Sequence, residues 1–239
     1  MKYEKIIKGT FIDRPNRFIA LVEVDGEAVK AHVKNTGRCR ELLVPGAAVY
    51  LEDFEGRMGG RKMRYSLVGV EKNVPAGTLM VNMDSQAPNK VVGEALADGT
   101  IRLEGMDRLT EIRAEKTFGQ SRFDFFVEDS KGSSAYIEVK GVTLENDGIV
   151  RFPDAPTERG VKHINELVSA MEAGQRAYII FLIQMGGMKE FRPNDDTHRA
   201  FGDALRSAAA AGVKVLAFGC SVTEDSLCIA EPVKVNLGE

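Results

Sequence analysis

Apolar and polar positions alternate with period two through much of the first 80 residues. FIALVEV (18–24) and EAVKAHV (27–33) are β-rich runs separated by Asp25-Gly26, a pair that tolerates positive φ and suits a tight hairpin turn. AAVYLEDF (47–54) follows a Pro45-Gly46 turn, and MRYSLVGVEK (63–72) follows Gly59-Gly60. Four or five short strands in this span predict a small closed barrel of OB type.

The period changes near Ala87. Val91, Val92, Ala95 and Leu96 recur at helical spacing up to Asp98-Gly99. EIRAEKTF (111–118), SRFDFFV (121–127) and AYIEVKGV (135–142) read as strands. After the proline-rich FPDAPT comes a long amphipathic helix with Val161, Ile164, Leu167, Val168 and Met171 as its apolar stripe. AYIIFLIQM (177–185) is unbroken enough to be a strand covered on both faces. THRAFGDALRSAAAAG (197–212) is a helix with Thr197 as N-cap, and VKVLAFGC (213–220) is a last buried strand. The order α-β-β-β-α-β-α-β predicts a mixed sheet flanked by helices, so the chain is α/β in class (α+β overall), with domains at 1–82 and 83–239.

Composition narrows the function. Three cysteines among 239 residues, with no C-x-x-C pair, exclude a disulfide framework and a cysteine-rich zinc site. No apolar run reaches the length of a membrane span, and MKYEKIIKGTF lacks the apolar core of a secretory signal, so a cytoplasmic protein is expected. The net charge of −3 conceals an asymmetry. Residues 1–80 hold 14 Lys/Arg against 10 Asp/Glu, whereas residues 81–239 hold 18 against 25. That split fits a front part that meets phosphates and a remainder that collects carboxylates.

The candidate chemistry lies on two adjacent strands. Alternation puts Arg122, Asp124 and Phe126 on one side of SRFDFFV, with Phe123, Phe125 and Val127 on the other. In AYIEVKG, Tyr136, Glu138 and Lys140 share a face while Ile137 and Val139 point oppositely. Paired as a hairpin, these strands bring Asp124 beside Glu138 with Lys140 one step along. Two such carboxylates repel unless a hard cation lies between them, and oxygen ligands with open water positions suit Mg²⁺ or Mn²⁺. A lysine at that place can orient a water or offset developing negative charge. Glu94, on the preceding helix, is the candidate third metal carboxylate. Glu-x-Lys alone is common on solvated sheet faces; the matching Asp gives the chemical reading its weight.

Asp124, Glu138-Val139-Lys140 and the helical Glu94 resemble the PD-(D/E)XK nuclease pattern. Over nearly its whole length the chain also resembles the sugar fermentation stimulation protein A family of prokaryotes. NTGRCRELLVPG (35–46), SRFDF (121–125), IEVKGVTL (137–144), FPDAPTERGVKHINEL (152–167) and FRPN (191–194) carry that likeness. The resemblance implies an N-terminal OB-fold and a C-terminal nuclease-like domain that bind DNA with little sequence preference. It further implies a link to sugar (maltose) utilisation genes, and metal and catalytic positions at Asp124, Glu138 and Lys140. Lys34 departs from the pattern by standing where a proline is expected, and His198 where an acid is expected.

Further nucleic-acid contacts are expected from Lys34, Asn35, Arg38 and Arg40 in a polar, basic loop, and from Arg61 in a mobile basic hairpin with Arg57, Lys62 and Arg64. Tyr50, Phe54 and Tyr65 are candidates for base stacking, with barrel core as the plainer alternative. Arg122, and Arg159 and Lys162 on the long helix, are placed to meet phosphates near the carboxylates. His163, on a helix face away from the apolar stripe, is either a proton shuttle or a structural, hydrogen-bonded histidine. The sequence leaves open cleavage versus binding without turnover, DNA versus RNA, and monomer versus a homodimer formed at a C-terminal sheet edge.

Overall fold

The computed structural model describes residues 1–35, 37–75 and 77–238. Strands β1 (Ile6–Asn16), β2 (Ile19–Val24), β3 (Glu27–Val33), β4 (Ala48–Asp53), β5 (Tyr65–Val74) and β6 (Gly77–Asn82) form the first sheet. Their order is β3-β2-β1-β4-β5-β6, and a parallel pairing of β3 with β5 closes the sheet into the expected OB-type barrel. The β2–β3 hairpin turns on Asp25 and Gly26, both at positive φ (51° and 83°). Val22, Ala31, Val33, Val49, Leu51, Leu67 and Val70 fill the interior and are fully buried. Strand β1 escapes the sequence pattern because Phe11 is its only buried residue. It crosses β2 at Gly9, where a Cβ would come within 2.6 Å of Val22 Cγ1 and 2.7 Å of the Glu23 carbonyl.

The remainder runs α1 (Ala87–Ala97), β7 (Leu109–Phe118), β8 (Ser121–Asp129), β9 (Ser134–Val142), β10 (Leu144–Asn146), β11 (Ile149–Phe152), α2 (Glu158–Glu172), β12 (Arg176–Ile183), β13 (Glu190–Pro193), α3 (Asp195–Ala210), β14 (Lys214–Val222), β15 (Leu227–Pro232) and β16 (Lys234–Val235). The main sheet has the order β15-β14-β12-β9-β8-β7. Strands β9, β12 and β14 are parallel, and the outer pairs are antiparallel. As its apolar run requires, β12 is buried at every residue after Arg176. Helix α1 covers one face, packing Val91, Val92 and Leu96 with Phe125, Ile137 and Ile180. Helices α2 and α3 cover the other, with Ile164, Leu167, Phe201 and Leu205 against Ile179 and Phe181.

Two sequence expectations change here. A second, small sheet (β10-β11-β13-β16) adds strands too short to show a period. Thr197 is not an N-cap: α3 starts at Asp195 behind Asn194, and His198 (φ −156°) interrupts it. The His198 ring is held instead by contacts to the start of α2, accepting from Thr157 N at 3.3 Å and lying 3.2 Å from Glu158 Oε1.

Buried polar contacts weld the barrel to the α/β domain. Lys72 Nζ of β5 lies 2.5 Å from Glu145 Oε2 of β10 and donates to the Glu145 carbonyl at 2.7 Å. The other Glu145 oxygen accepts from Gly148 N at 2.8 Å. Lys34 Nζ reaches Asp84 Oδ2 at 2.5 Å, and Gln184 Nε2 donates to Asn82 Oδ1 at 2.8 Å. Removing one partner of a buried pair strands the other charge, so Glu145→Ala should cost roughly 3 kcal/mol or more. The double variant Lys72→Met/Glu145→Leu, which leaves no orphan charge, should lose much less. Urea unfolding of both variants checks this; equal losses would contradict a buried, charge-compensated weld.

Candidate active site

Strand β9 sits between β8 and β12, covered on both faces. Its alternation sends Ile137 and Val139 into the α1-side core, as expected, and leaves Glu138 facing α2 at 3% exposure. Lys140 Nζ and His163 Nδ1 both lie 2.5 Å from Glu138 Oε1. Arg159 Nε donates to His163 Nε2 at 3.3 Å. A guanidinium can only donate, so Nε2 is the acceptor and Nδ1 carries the proton that His163 gives to Glu138. Burial by itself pushes the Glu138 carboxyl up. The His163 hydrogen bond and the Lys140 ammonium outweigh that and hold it below the ordinary glutamate range. Glu138 Oε2, equally buried, has no protein partner.

Asp124 lies where the β8–β9 ladder ends. Pairing runs from Glu128–Ser134 to Phe125–Ile137 and stops one position short of Asp124 and Glu138. Free of that ladder, Asp124 Oδ2 accepts from Val139 N at 2.7 Å, and Oδ1 accepts from Asn89 Nδ2 of α1 at 2.6 Å. Burial, then the nearby Glu138 charge, raise the Asp124 carboxyl above its usual range. Strict alternation fails here. Phe123 packs in the α2-side core although Phe125 and Val127 pack on the α1 side. Glu115, facing Asp124 across β7, has a left-handed φ of 56°, so the sheet is irregular on both sides of this residue.

The structure brings Asp124, Glu138 and Lys140 together but not Glu94. Glu94 Oε2 lies 2.7 Å from the Met1 ammonium, and Asn89, five residues earlier on α1, reaches the carboxylates instead. Five residues rotate a helix by more than a full turn, so the two side chains leave α1 in different directions. Nothing in the local pattern marks Asn89. His163 does not lie away from the apolar stripe: it is buried beside Ile164 and Leu167, with both ring nitrogens engaged. It is the hydrogen-bonded histidine rather than a free shuttle.

Of the expected phosphate contacts, Arg159 and Lys162 are exposed on α2, with Lys162 Nζ 3.4 Å from the Gln120 carbonyl. Arg122 is 62% exposed and 3.4 Å from Glu115 Oε2. On the barrel, Arg38 and Arg40 are exposed, whereas Lys34 is taken up by Asp84. Asn35 folds an Asx turn onto Gly37 N at 2.9 Å, and Thr36 lies outside the described residues. Arg14, which no sequence pattern marks, organises this loop. Its Nη1 donates to the carbonyls of Gly37 and Arg38 (both 2.9 Å), and its Nη2 to those of Asn35 (2.7 Å) and Arg17 (2.8 Å).

The basic hairpin is not a free set of charges. Arg57 pairs with Glu4, Arg64 with Asp53 and Glu55, and Arg61 sits 3.6 Å over the Phe54 ring while donating to Ser66 Oγ at 2.5 Å. These acids are distant in sequence or on a neighbouring strand, so the charge run reads as free until the fold is known. Tyr50 is core, with its hydroxyl on Glu71, and Tyr65 packs against the barrel interior.

A cleft of about 190 Å³ separates Asn35 and Gly37 from the exit of β9; Gly141, Arg151, Asp154 and Gln184 also line it. Gly141, next to Lys140, has no room for a side chain: a Cβ there would come within 2.5 Å of Gln184 Oε1. Among the described residues no three His, Cys, Asp or Glu converge as a metal cluster. The two carboxylates nevertheless fit a hard divalent cation completed by water. One buried oxygen lacks a partner, and the neighbouring carboxylate is destabilised by burial and then by a like charge.

Fold and site together define a two-part protein: an OB-type barrel joined to a mixed α/β sheet that presents two carboxylates and a lysine on adjacent strands. The chain belongs to the sugar fermentation stimulation protein family. The model of the SfsA N-terminal OB domain matches residues 12–82, and that of the sugar fermentation stimulation protein RE domain matches residues 86–226. The sugar fermentation stimulation protein homolog of Desulfitobacterium hafniense strain Y51 is 52% identical over 100% of both chains. That of Clostridium beijerinckii is 51% identical over 99% of this chain and 100% of its own. A structure of Pyrococcus furiosus SfsA in complex with Ca²⁺ is 27% identical and aligns with a TM-score of 0.85, covering 99% of this chain and 98% of that one.

The raised Asp124 carboxyl makes a signed prediction. A carboxyl whose folded pKa exceeds its unfolded value weakens the fold when ionised; the cost is present at neutral pH and vanishes below about pH 4, where both states are protonated. Asp124→Asn keeps an acceptor for Val139 N, and the Asn89 amide can flip to match. In EDTA the variant should melt above the parent at pH 7, with the gain shrinking as pH falls towards 4. A divalent cation should stabilise the parent and not the variant. Thermal melts across pH check this, and a variant less stable than its parent at pH 7 in EDTA would contradict it.

Proposed function

We propose that this chain is a metal-dependent phosphodiesterase of the PD-(D/E)XK kind, acting on nucleic acid with little sequence preference. The observation that carries the reading is the partnerless Glu138 Oε2, buried beside Asp124 and Lys140. Asp124 and Glu138 would hold Mg²⁺ or Mn²⁺, with Glu94 committed elsewhere. A relative solved in complex with Ca²⁺ supports a divalent ion at this fold. When bound, such an ion supplies Lewis-acid polarisation of a phosphoryl oxygen and a more acidic water. Lys140, released from Glu138, would orient a water or offset charge developing on the phosphate. His163, braced by Arg159, fixes Glu138 and favours its anionic form, and Asn89 fixes Asp124. Exposed Arg38, Arg40, Arg122, Arg159 and Lys162 would meet the backbone, with DNA as the expected polymer and RNA to be compared. The domain division at 82/83, a cytoplasmic location and dimerisation through the β15 edge complete the proposal. No helix among the described residues is long and apolar enough to cross a membrane.

A second reading is a DNA-binding regulator of sugar (maltose) utilisation genes without turnover. It draws on the way Lys140 and His163 already neutralise Glu138 and on the lack of a third acidic or histidine ligand among the described residues. Labelled single- and double-stranded DNA and RNA incubated with EDTA, Mg²⁺ or Mn²⁺ separate the two. The nuclease reading expects metal-dependent cleavage that falls roughly 100-fold or more in Lys140→Ala with binding retained. Binding without cleavage under every condition would leave the regulator.

A further inference from the structure

The tip of the β1–β2 hairpin carries Phe18, 46% exposed; among the described residues the barrel's other exposed large apolar groups are Ile12 (38%) and Val44 (48%), neither of them aromatic. The Arg17 guanidinium sits 5.0 Å from the Phe18 ring centroid. The tip is rigid rather than dangling. Asn16 Oδ1 accepts from Phe18 N at 2.9 Å, and the Phe18 carbonyl accepts from Val33 N at 2.8 Å. One guanidinium, that of Arg14, binds the carbonyls of Arg17 and Arg38 together, so the tip and residues 37–40 form one surface.

Charge pairing sets this surface apart from much of the barrel, although among the described residues Lys30 and Lys62 also make no ion pair. Lys5, Lys8, Arg57 and Arg64 are all paired to carboxylates. Among the described residues no ion pair involves Arg17, Arg38 or Arg40, and all three are exposed. Gly37, adjoining Arg38, lines the cleft bordered by Gly141, beside Lys140.

We infer that Phe18, with Arg17, Arg38 and Arg40, is a stacking platform for an unpaired nucleobase, which makes single-stranded segments the preferred substrate class at this site. The inference rests on the nucleic-acid reading above. An exposed ring face offers dispersion and π contact to any base regardless of sequence, while unpaired guanidinium groups bind the adjoining phosphates. In a duplex each base face is already covered by its neighbours, so Phe18 gains nothing from it. A strand seated on Phe18 passes Arg38 and Gly37 into the cleft and towards Lys140, so unpaired nucleotides flanking the carboxylates are selected before any chemistry.

The chain has no tryptophan, so Phe18→Trp installs a single reporter at the tip. In EDTA, which prevents metal-dependent cleavage, this variant is titrated with oligothymidylate, oligouridylate and a blunt DNA duplex, each about a dozen nucleotides long. Quenching by the single strands and none by bound duplex is expected. Phe18→Ala should weaken oligothymidylate binding roughly tenfold, by anisotropy, and leave duplex binding within about twofold. Arg38→Ala/Arg40→Ala should lower the slope of log affinity against log salt by about 0.7 for each phosphate that is no longer neutralised. Equal quenching by duplex, or single-strand binding indifferent to Phe18→Ala, would overturn the platform while leaving the nuclease reading intact. Failure of the parent protein to bind any of the three polymers would overturn both.

Discussion

A carboxylate buried in the middle of a sheet is the constraint around which the second domain is arranged. Glu138 is on a strand covered by helices on both faces, where an isolated charge would cost far more than a domain's net stability. It remains anionic because Lys140 comes from its own strand face and His163 from the facing helix, both to the same oxygen. That arrangement requires α2 to lie against β9 in one register, with Arg159 fixing the histidine tautomer from outside. Three supporting groups serve one oxygen, and the other has none. The asymmetry is what gives the site chemical potential: a second acid, Asp124, adds negative charge where only one lone oxygen is available to share a cation.

The barrel's contribution depends on being fixed relative to this site. Ion pairs from Lys72 and Lys34, together with the Gln184–Asn82 contact, cross the junction with little access to water, so its geometry is set by short, directional contacts. Asn35 and Gly37 are consequently held across a cleft from the exit of β9, where Gly141 lets Gln184 and Pro88 pack against the backbone. Gly37 of the barrel and Gly141, next to Lys140, thus line one cleft, which on the proposed function would bring a strand held by the barrel to the sheet.

Local pattern made the main architecture legible. The Asp25-Gly26 turn, the alternation of Glu138 with Ile137 and Val139, and the unbroken run of β12 each follow from nearest-neighbour physics. Interactions between distant segments were not legible. Glu94 has the right chemistry on the right helix but meets the Met1 ammonium, and Asn89 takes its expected place. The arginines at 57–64 look free until Glu4, Asp53 and Glu55 fold against them. Phe123 breaks strand parity because Asp124 leaves the ladder, and β10, β11, β13 and β16 are too short for any period to show. The candidate site was therefore readable in its strand residues and unreadable in the helical groups that support them.

Whether the free Glu138 oxygen and Asp124 together receive a divalent cation decides the function proposed for this chain. Anomalous diffraction from crystals soaked in Mn²⁺ tests it most directly, because it locates the ion without requiring turnover. The expected result is a peak at metal–oxygen bonding distance, roughly 2.0–2.2 Å, from Glu138 Oε2 and an Asp124 oxygen, with Lys140 moved off Glu138. Full soaking with no peak between these carboxylates, or a peak only elsewhere on the molecule, would contradict it.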